Sequence, residues 1–342
     1  MKKIITLLLI FVMCSGCAFA LDVLPLMSSK SEQQDRVWVG TFQLVWNDFS
    51  DGIVKGPVQF RGGKSKLAEE LNKRDFTADR LSESSYYKTY GAISPDLKAQ
   101  IETAIKEKFN ETSDILGMID WTPATGKYLV YAMLKKDFKF LVPFDKLKQE
   151  KFGKNREKIQ YFGINNKSKG NLRDQISVLF YNSADDFALK IRTEGRDELY
   201  LYRTRKDETF DKLYTAMTAE EYDGFKGFAP KDELKVPDIN LYALKSFDEL
   251  CGRKIKHTKG LIINTALETV DFKMNNEGVK LKSEAAIATA KSILIPQELK
   301  PRKFYFDDTF VLFLKEQGRD KPYFALRVHD AALVNKTGKS EK

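Results

Sequence analysis

The chain has 342 residues, of which 42% are hydrophobic and 31% are charged, and its 57 Lys and Arg against 48 Asp and Glu give a net charge of +9. This composition excludes a polytopic membrane protein and a wholly disordered chain, and the length suits one large domain or two ordinary ones. Two His and three Cys leave little material for a metal site or a disulfide framework.

The amino end has the pattern of an export signal. Two lysines precede an apolar run over residues 4–13, which is too short to span a bilayer as a helix. Two processing events stay open: cleavage after Ala20, or lipidation of Cys17. We therefore expect residues 1–20 to be a signal peptide and the protein to be secreted or otherwise extracytoplasmic, attached to a membrane if Cys17 carries lipid. Cleavage after Ala20 would leave Cys251 as the only cysteine, which excludes an intramolecular disulfide.

The clearest helix signal begins at Ser94, a capping residue followed by Pro95. Apolar residues then recur at four-residue spacing through residue 109, with charged residues on the other side. This stripe predicts a helix that lies across a surface rather than inside a core. Shorter helices are predicted over residues 64–73, 210–217, 219–224 and 246–251.

A continuous apolar run over residues 128–134 is typical of a strand that is covered on both faces. Further strands are predicted over residues 176–181, 187–191, 198–202, 261–263, 269–274, 310–314 and 323–328. Because the strands come in blocks interrupted by isolated helices, the pattern predicts an α+β fold rather than a regular β-α-β alternation.

Motifs of catalysis and of nucleotide binding are missing from the sequence. There is no G-x-S-x-G, H-E-x-x-H or C-x-x-C, and the Gly-Gly-Lys-Ser at residues 62–65 lacks the first glycine of a phosphate-binding loop. His257 lies in a basic stretch typical of a solvated loop, and His329 follows an apolar run as a strand-end residue would. The basic residues do not form a block interleaved with aromatics. We therefore predict no enzyme activity, no cofactor, no metal and no nucleic-acid partner.

Residues 269–290 alternate between apolar and polar with a change of phase. The apolar face is on even numbers up to Met274 and on odd numbers from Val279, after the turn signal at 275–278. A change of phase indicates a turn or bulge between two strand-like pieces. The run 285–290 consists almost entirely of small residues, which suits a helical turn by propensity or a strand that slides between its neighbours. The pattern alone leaves both interpretations open.

This segment resembles the hinge of the serpins, the serine-protease-inhibitor family, whose pattern is roughly V-N-E-E-G-T-E-A-A-A-A-T-A. The matching stretches here are 274–278 and 283–290. Downstream, residues 306–314 resemble the family's F-x-A-D-H-P-F-L-F-L-I and residues 323–328 its I-L-F-M-G-R-V. Weaker matches, in the right order, lie upstream of the hinge, and the resemblance covers roughly residues 94–330.

The resemblance implies a serpin-like α+β fold, with large mixed and antiparallel sheets and surrounding helices, and a mechanical function. A serine or cysteine protease would cleave a bait loop, and the hinge would then insert into the main sheet as a new strand. The implied hinge residues are Glu277, Gly278, Ser283, Glu284, Ala285, Ala286, Ile287, Ala288, Thr289 and Ala290. The implied scissile region is Lys291, Ser292, Ile293, Leu294, Ile295 and Pro296. The implied partner is a target protease, and we expect a monomer.

Several residues depart from the family pattern. Four extra residues, 279–282, separate Gly278 from the small-residue run, the family's sheet-opening His aligns with Glu268, and its buried Asn aligns with Tyr131. These departures leave an alternative function open, a non-inhibitory binding protein or surface lipoprotein with the same fold.

The chain also holds too few early residues for the helical bundle with which serpins begin. We therefore divide it into a signal peptide at 1–20, a divergent amino-terminal region at 21–93, a serpin-like domain at 94–334 and a disordered tail at 335–342.

Overall fold

The computed structural model describes residues 21–135, 139–153, 157–278 and 300–335. In chain order, the strands and α-helices of these ranges are β1 (Asp22–Leu24), β2 (Arg36–Val39), α1 (Thr41–Phe49), α2 (Lys66–Leu71), β3 (Tyr86–Ala92), α3 (Pro95–Phe109), β4 (Lys127–Lys135), β5 (Asp145–Lys146), β6 (Glu150–Phe152), β7 (Glu157–Ile159), β8 (Tyr161–Ile164), β9 (Ile176–Ser183), β10 (Asp186–Arg192), β11 (Asp197–Arg203), α4 (Phe210–Ala219), β12 (Glu233–Pro237), β13 (Ile239–Ser246), β14 (Ile262–Met274), β15 (Lys303–Tyr305), β16 (Phe310–Glu316) and β17 (Phe324–Val328). A π-helical turn at Ser50–Val54 follows α1, and short 3₁₀ segments lie at Ala78–Arg80, Glu83–Ser85, Asp114–Met118, Gly170–Gln175, Asp248–Leu250 and Ala331–Leu333.

These strands form three sheets and one two-stranded ribbon within the described ranges. A seven-stranded sheet has the order β1-β2-β17-β16-β11-β10-β9, and its pairs are antiparallel except for β1 with β2. A four-stranded sheet, called the seam sheet here, has the order β13-β14-β4-β3. A third sheet has the order β15-β12-β8-β5, and β6 pairs with β7. The fold is therefore α+β with mixed and antiparallel sheets, as the sequence predicts.

The inner face of the seam sheet packs on two different layers. Ala266 of β14 belongs to an apolar cluster with the buried side of α1, whereas Val270, Phe272 and Met274 join the core of the seven-stranded sheet. The ring centroids of Phe272 and Phe324 of β17 lie 4.8 Å apart. Side chains alternate along a strand, so the even-numbered residues of β14 supply this face from Ala266 onward, whereas Ile263 supplies it before the register shift.

Helix α3 covers the outer face of the seam sheet. Ser94 Oγ accepts a hydrogen bond from the backbone N–H of Leu97 at 3.1 Å, and Pro95 lies in the first turn, as predicted. The buried stripe of α3 packs on odd-numbered residues of β4 and β14; this cluster includes Leu97, Ile101, Ile105 and Phe109 of the helix with Leu129, Tyr131, Met133 and Leu267 of the strands. Both faces of the central strands are thus covered, which explains why β4 has a continuous apolar sequence.

Most predicted strands are confirmed within one or two residues, but the predicted strands at 261–263 and 269–274 are parts of one strand. That strand, β14, has 13 residues. The polar residues Asn264 and Glu268 interrupt its apolar pattern, and a shift in its register with β4 lies between Ile263 and Thr265. These two features concealed the continuity of the strand from the sequence pattern.

The predicted helix at 219–224 is wrong, because α4 ends at Ala219 and residues 220–224 are not helical. The chain beyond it wraps around a buried ion pair, in which Arg302 Nη2 lies 2.6 Å from Asp232 Oδ2. The guanidinium group of Arg302 also donates to the backbone carbonyls of Phe225 and Gly227 at 2.7 and 2.6 Å. These tertiary hydrogen bonds outweigh the modest helix propensity of this segment.

The other predicted helices are confirmed with changes of length. The helix predicted at 210–217 is α4, and the one predicted at 64–73 is shortened to α2. The helix predicted at 246–251 is only a 3₁₀ segment at Asp248–Leu250.

Residues 21–93 supply more of the core than their sequence pattern indicates. They add β1 and β2 to the edge of the seven-stranded sheet, α1 beneath the seam sheet, and β3 to its edge. Trp46 of α1 is fully buried. The division of the chain at residue 93 stays a prediction.

We expect Ile101→Ala to lower the free energy of unfolding by about 2–5 kcal/mol, because Ile101 is fully buried between α3 and the seam sheet and its loss leaves a cavity. Chemical denaturation measures this change. Thr103→Ala, on the exposed side of the same helix, is the control and should change stability by less than about 0.5 kcal/mol. Equal effects of the two substitutions would contradict the packing of α3 on the sheet.

Candidate functional site

The two middle strands of the seam sheet, β4 and β14, run parallel, and this pair is called the seam. The pairing extends from Lys127 opposite Ile262 to Lys135 opposite Asp271. The outer pairs of the same sheet, β13 with β14 and β3 with β4, are antiparallel. Parallel pairing is slightly less stable per residue than antiparallel pairing. A strand that entered the seam could run antiparallel to both of its neighbours.

A tight turn lies at the carboxyl end of β14, where the sequence predicts a turn. Asn275 and Gly278 exchange both backbone hydrogen bonds, each 3.1 Å long. The φ angle of Gly278 is +105°, a region that side chains disfavour, so the turn requires glycine there. Tight turns of this kind commonly join two antiparallel strands.

The segment that follows β4 holds this turn in place. Phe140 N–H donates to the Glu277 carbonyl at 3.1 Å, and Phe144 N–H donates to the Asn276 carbonyl at 2.8 Å. Lys139 pairs with Gly278 in an isolated bridge. The turn, which follows β14 directly, therefore lies at one end of the seam. There it contacts the segment that follows β4.

Glu277 and Gly278 are the only predicted hinge residues that the described ranges contain. The hinge residues at 283–290, the scissile region at 291–296 and the lipidation candidate Cys17 lie outside the described residues.

Glu268 lies in the middle of β14 and is fully buried. Its Oε1 accepts hydrogen bonds from Thr41 Oγ1 at 2.9 Å and from the backbone N–H of Phe42 at 3.0 Å. Burial raises the pKa of Glu268 to about 8, although these two hydrogen bonds lower it. Oε2 has no hydrogen-bond partner among the described residues, and such an unsatisfied buried atom costs about 1–3 kcal/mol.

Tyr131, the other departure from the family pattern, lies on the opposite face of the seam. It is fully buried under α3 and stands opposite Leu267 of β14. Burial raises the pKa of its hydroxyl, which is also close to Thr269 and Ser113. The two departures therefore occupy the inner and outer faces of the same strand pair.

A cavity of about 450 Å³ lies between β2, α1, α4 and the connection from β16 to β17. Trp38 and Gln43 line it and are almost completely buried, yet Trp38 Nε1 and Gln43 Oε1 have no hydrogen-bond partner within the described ranges. Tyr214 also lines the cavity, as do Arg80 and Asp320, whose Nε and Oδ1 atoms lie 3.4 Å apart. No sequence pattern indicates this site, because its residues come from five distant segments.

The two histidines lie in different surroundings within the part of the chain that the structure describes. His329 Nδ1 lies 2.7 Å from Thr309 Oγ1, and the nearby Asp35 accepts from the backbone N–H of His329 rather than from its ring. His257 is exposed and has a φ angle of +59°. No three His, Cys, Asp or Glu side chains of the described residues come together as a metal site would require. Among the helices that the structure describes, none has the length and apolar character needed to span a bilayer.

No protein-family model and no curated protein matches the sequence. Among solved structures, the chain is similar to Serpin48, described as a highly specific serpin in the insect Tenebrio molitor, with 14% identity, coverage of 86% of this chain and 91% of that chain, and a TM-score of 0.50. Two structures of thyroxine-binding globulin with thyroxine, the first of the human protein, are 11% and 12% identical, cover 69% and 68% of this chain and 64% and 63% of those chains, and have TM-scores of 0.43. The sheet arrangement and the similarity to the insect protein over most of both chains show that this chain has the serpin fold.

Proposed function

We propose that this chain is an inhibitor that traps a serine or cysteine protease when the segment after Gly278 is cleaved and inserts into the seam. The observation that carries the proposal is the hairpin turn at one end of the parallel pair of β4 and β14. The turn lies at the end of the seam where a new strand would have to enter between β14 and β4.

The register of such a strand follows from the pairing of Asn275 with Gly278. If the ladder continues antiparallel along β14, Val279 comes opposite Met274 and Ala285 opposite Glu268. The odd-numbered residues then share the inner face of the sheet with the even-numbered residues of β14. Three of them are apolar and bulky, namely Val279, Leu281 and Ile287.

The even-numbered residues would face the layer that contains α3. Ala286 comes opposite Leu267, which packs against that helix, so a small side chain suits the position. Lys291 comes opposite Ile262, the first residue of β14. The inserted strand would therefore end at about Lys291, where β14 itself begins.

Cleavage is required because the other end of the loop is tethered in a different sheet. After Lys300, the chain enters β15, which pairs with β12 in the third sheet. Once the loop is cut, insertion would bury the bulky apolar side chains, each worth about 1.5–3 kcal/mol. New ladder hydrogen bonds would form along both sides of the strand, each worth about 0.5–1.5 kcal/mol. This gain is the energy available to displace a bound protease.

Export of the chain belongs to the same proposal, since the target would be an extracytoplasmic protease. Cleavage after Ala20 and lipidation of Cys17 remain the two alternatives, and the mass of the mature amino-terminal peptide distinguishes them.

We expect the mature chain, mixed with a panel of serine and cysteine proteases, to form a covalent complex that survives denaturing gel electrophoresis. Loop cleavage should raise the melting temperature by roughly 10 °C or more, because the expected gain is several kcal/mol. Ala286→Arg should still be cleaved but should give neither the complex nor the rise, since the guanidinium group would lie beneath α3.

The matched control is Ala332→Arg, at an exposed residue outside the loop, which should behave like the unsubstituted chain. Simple cleavage of the unsubstituted chain, with no complex and no thermal stabilisation, would refute inhibition by insertion.

A second candidate function, binding of a small organic ligand, is favoured by the cavity beside α1. Its volume of about 450 Å³ lies in the usual range for ligand pockets. Buried polar atoms are normally hydrogen-bonded, so the unpaired donor on Trp38 and the unpaired acceptor on Gln43 favour a ligand with complementary groups. This is the non-inhibitory binding function that the sequence leaves open.

We expect aromatic carboxylic acids and amides to quench the fluorescence of Trp38 on binding. Trp38→Phe should weaken the binding, measured by calorimetry, by about tenfold, because it removes one buried hydrogen-bond donor. Trp121→Phe is the control, since Trp121 Nε1 already donates to the Leu116 carbonyl and lies outside the cavity. Equal binding by both variants would rule out the cavity as the site.

A further inference from the structure

Two distant segments of the chain come together as one basic surface. Residues 59–66 carry three Lys or Arg and residues 252–260 carry four, and neither segment contains Asp or Glu. The backbone N–H of Arg61 donates to the Lys254 carbonyl at 2.8 Å, within an antiparallel pairing of the two segments. Their cations are called the basic face here, and they are Arg61, Lys64, Lys66, Arg253, Lys254, Lys256 and Lys259.

The pairing places like charges directly opposite each other. Phe60 and Ile255 form its bridge and are both buried, so the residues that flank them point outward. Arg61 therefore lies opposite Lys254, and both are exposed. Side chains at such positions are about 5 Å apart, and like charges there destabilise the pairing. An anionic partner would remove this cost.

Carboxylates of the chain do not neutralise the basic face. Lys64 lies 3.5 Å from Glu69, whereas Glu249 accepts a hydrogen bond from Ser65 Oγ at 2.7 Å rather than pairing with a cation of the face. Four cations have no ion pair among the described residues, namely Arg61, Lys254, Lys256 and Lys259. Lys2 and Lys3 supply two of the nine net positive charges of the chain and the basic face supplies the other seven, so the remaining residues are neutral overall.

The basic face lies at the end of the seam that is opposite the hairpin turn. Lys254 pairs in a bridge with Ile262, the first residue of β14, whereas the turn follows Met274, the last residue of that strand. A strand of 13 residues is about 40 Å long. A surface that binds the basic face would therefore lie about 40 Å from the turn.

The amino end of the described chain borders the basic face. A groove of about 740 Å³ is lined by Asp22 of β1 together with Lys66 of the face. Cys17, the lipidation candidate, precedes Asp22 by five residues, which span at most about 18 Å. If Cys17 carries lipid, the bilayer therefore comes close to the basic face. One lipid chain binds a membrane reversibly, and a basic patch beside it makes the attachment stable.

We propose that the basic face docks on a bilayer surface that carries anionic phospholipids, with the hairpin turn on the far side of the molecule. Each Lys or Arg close to such a surface strengthens binding by about fivefold. The attraction extends over about one Debye length, roughly 8 Å at physiological ionic strength, so added salt weakens it.

Docking is a property of the uncleaved chain and does not depend on inhibition. Insertion as proposed above would bring Lys291 to the same end of β14, so a trapped protease and the bilayer would exclude each other. Binding to vesicles is therefore measured before any cleavage. A failure of docking and a failure of inhibition then give separate results.

We expect the chain that begins at Leu21, which carries no lipid, to sediment with phosphatidylcholine vesicles that contain about one third phosphatidylglycerol. It should not sediment with vesicles of phosphatidylcholine alone, and about 0.5 M sodium chloride should release it. Arg61→Gln combined with Lys254→Gln should weaken binding about twentyfold, since two cations are lost. The same double variant should not melt at a lower temperature, because it removes a pair of like charges.

The matched control is Lys226→Gln combined with Lys231→Gln, two exposed residues between α4 and β12. It changes the net charge equally and should bind within about twofold of the unsubstituted chain. An equal loss in both double variants would overturn the proposal, because attraction would then follow net charge alone. Equal binding to both kinds of vesicle would also overturn it. Binding to inorganic polyphosphate without binding to the anionic vesicles would assign the face to a soluble polyanion instead.

Discussion

The parallel pairing of β4 with β14 is the constraint on which the rest of the structure depends. The two strands are far apart in sequence, and antiparallel neighbours hold both of them from outside. Whatever separates the pair must also disturb the layers above and below, because both of its faces are buried. The seam is therefore at once the centre of the sheet and the place where opening would have the largest structural consequence.

The two faces of the seam oppose opening in different ways. On the outer side, α3 covers the strands with an apolar stripe, and apolar contacts can slide with little directional penalty. On the inner side, the contact between β14 and α1 includes two hydrogen bonds to Glu268, which are directional and break over a short distance. An event that opens the sheet therefore meets its sharpest resistance at a buried carboxyl group, one oxygen of which is already unsatisfied.

Much of the fold could be predicted from sequence because its signals are local. The capped stripe of α3 and the apolar run of β4 depend on neighbouring residues, and the phase change around Gly278 located a real turn. The roles of Thr41, Phe42 and Phe140 could not be predicted, since their partners lie more than a hundred residues away. Helix α1 itself had a detectable signal in the helical spacing of the apolar residues 42, 45, 46 and 49.

The first turn of α1 also connects the seam with the cavity. Thr41 and Phe42 bind Glu268, and the next residue, Gln43, faces the cavity and donates to the Leu71 carbonyl at 2.7 Å. If a ligand binds Gln43 more tightly when the seam is closed, it stabilises the closed seam. Opening of the seam then weakens the binding of the ligand by the same free energy. The seam contact and the cavity therefore share the first turn of α1, where Thr41 and Phe42 contact Glu268 and the next residue, Gln43, lines the cavity.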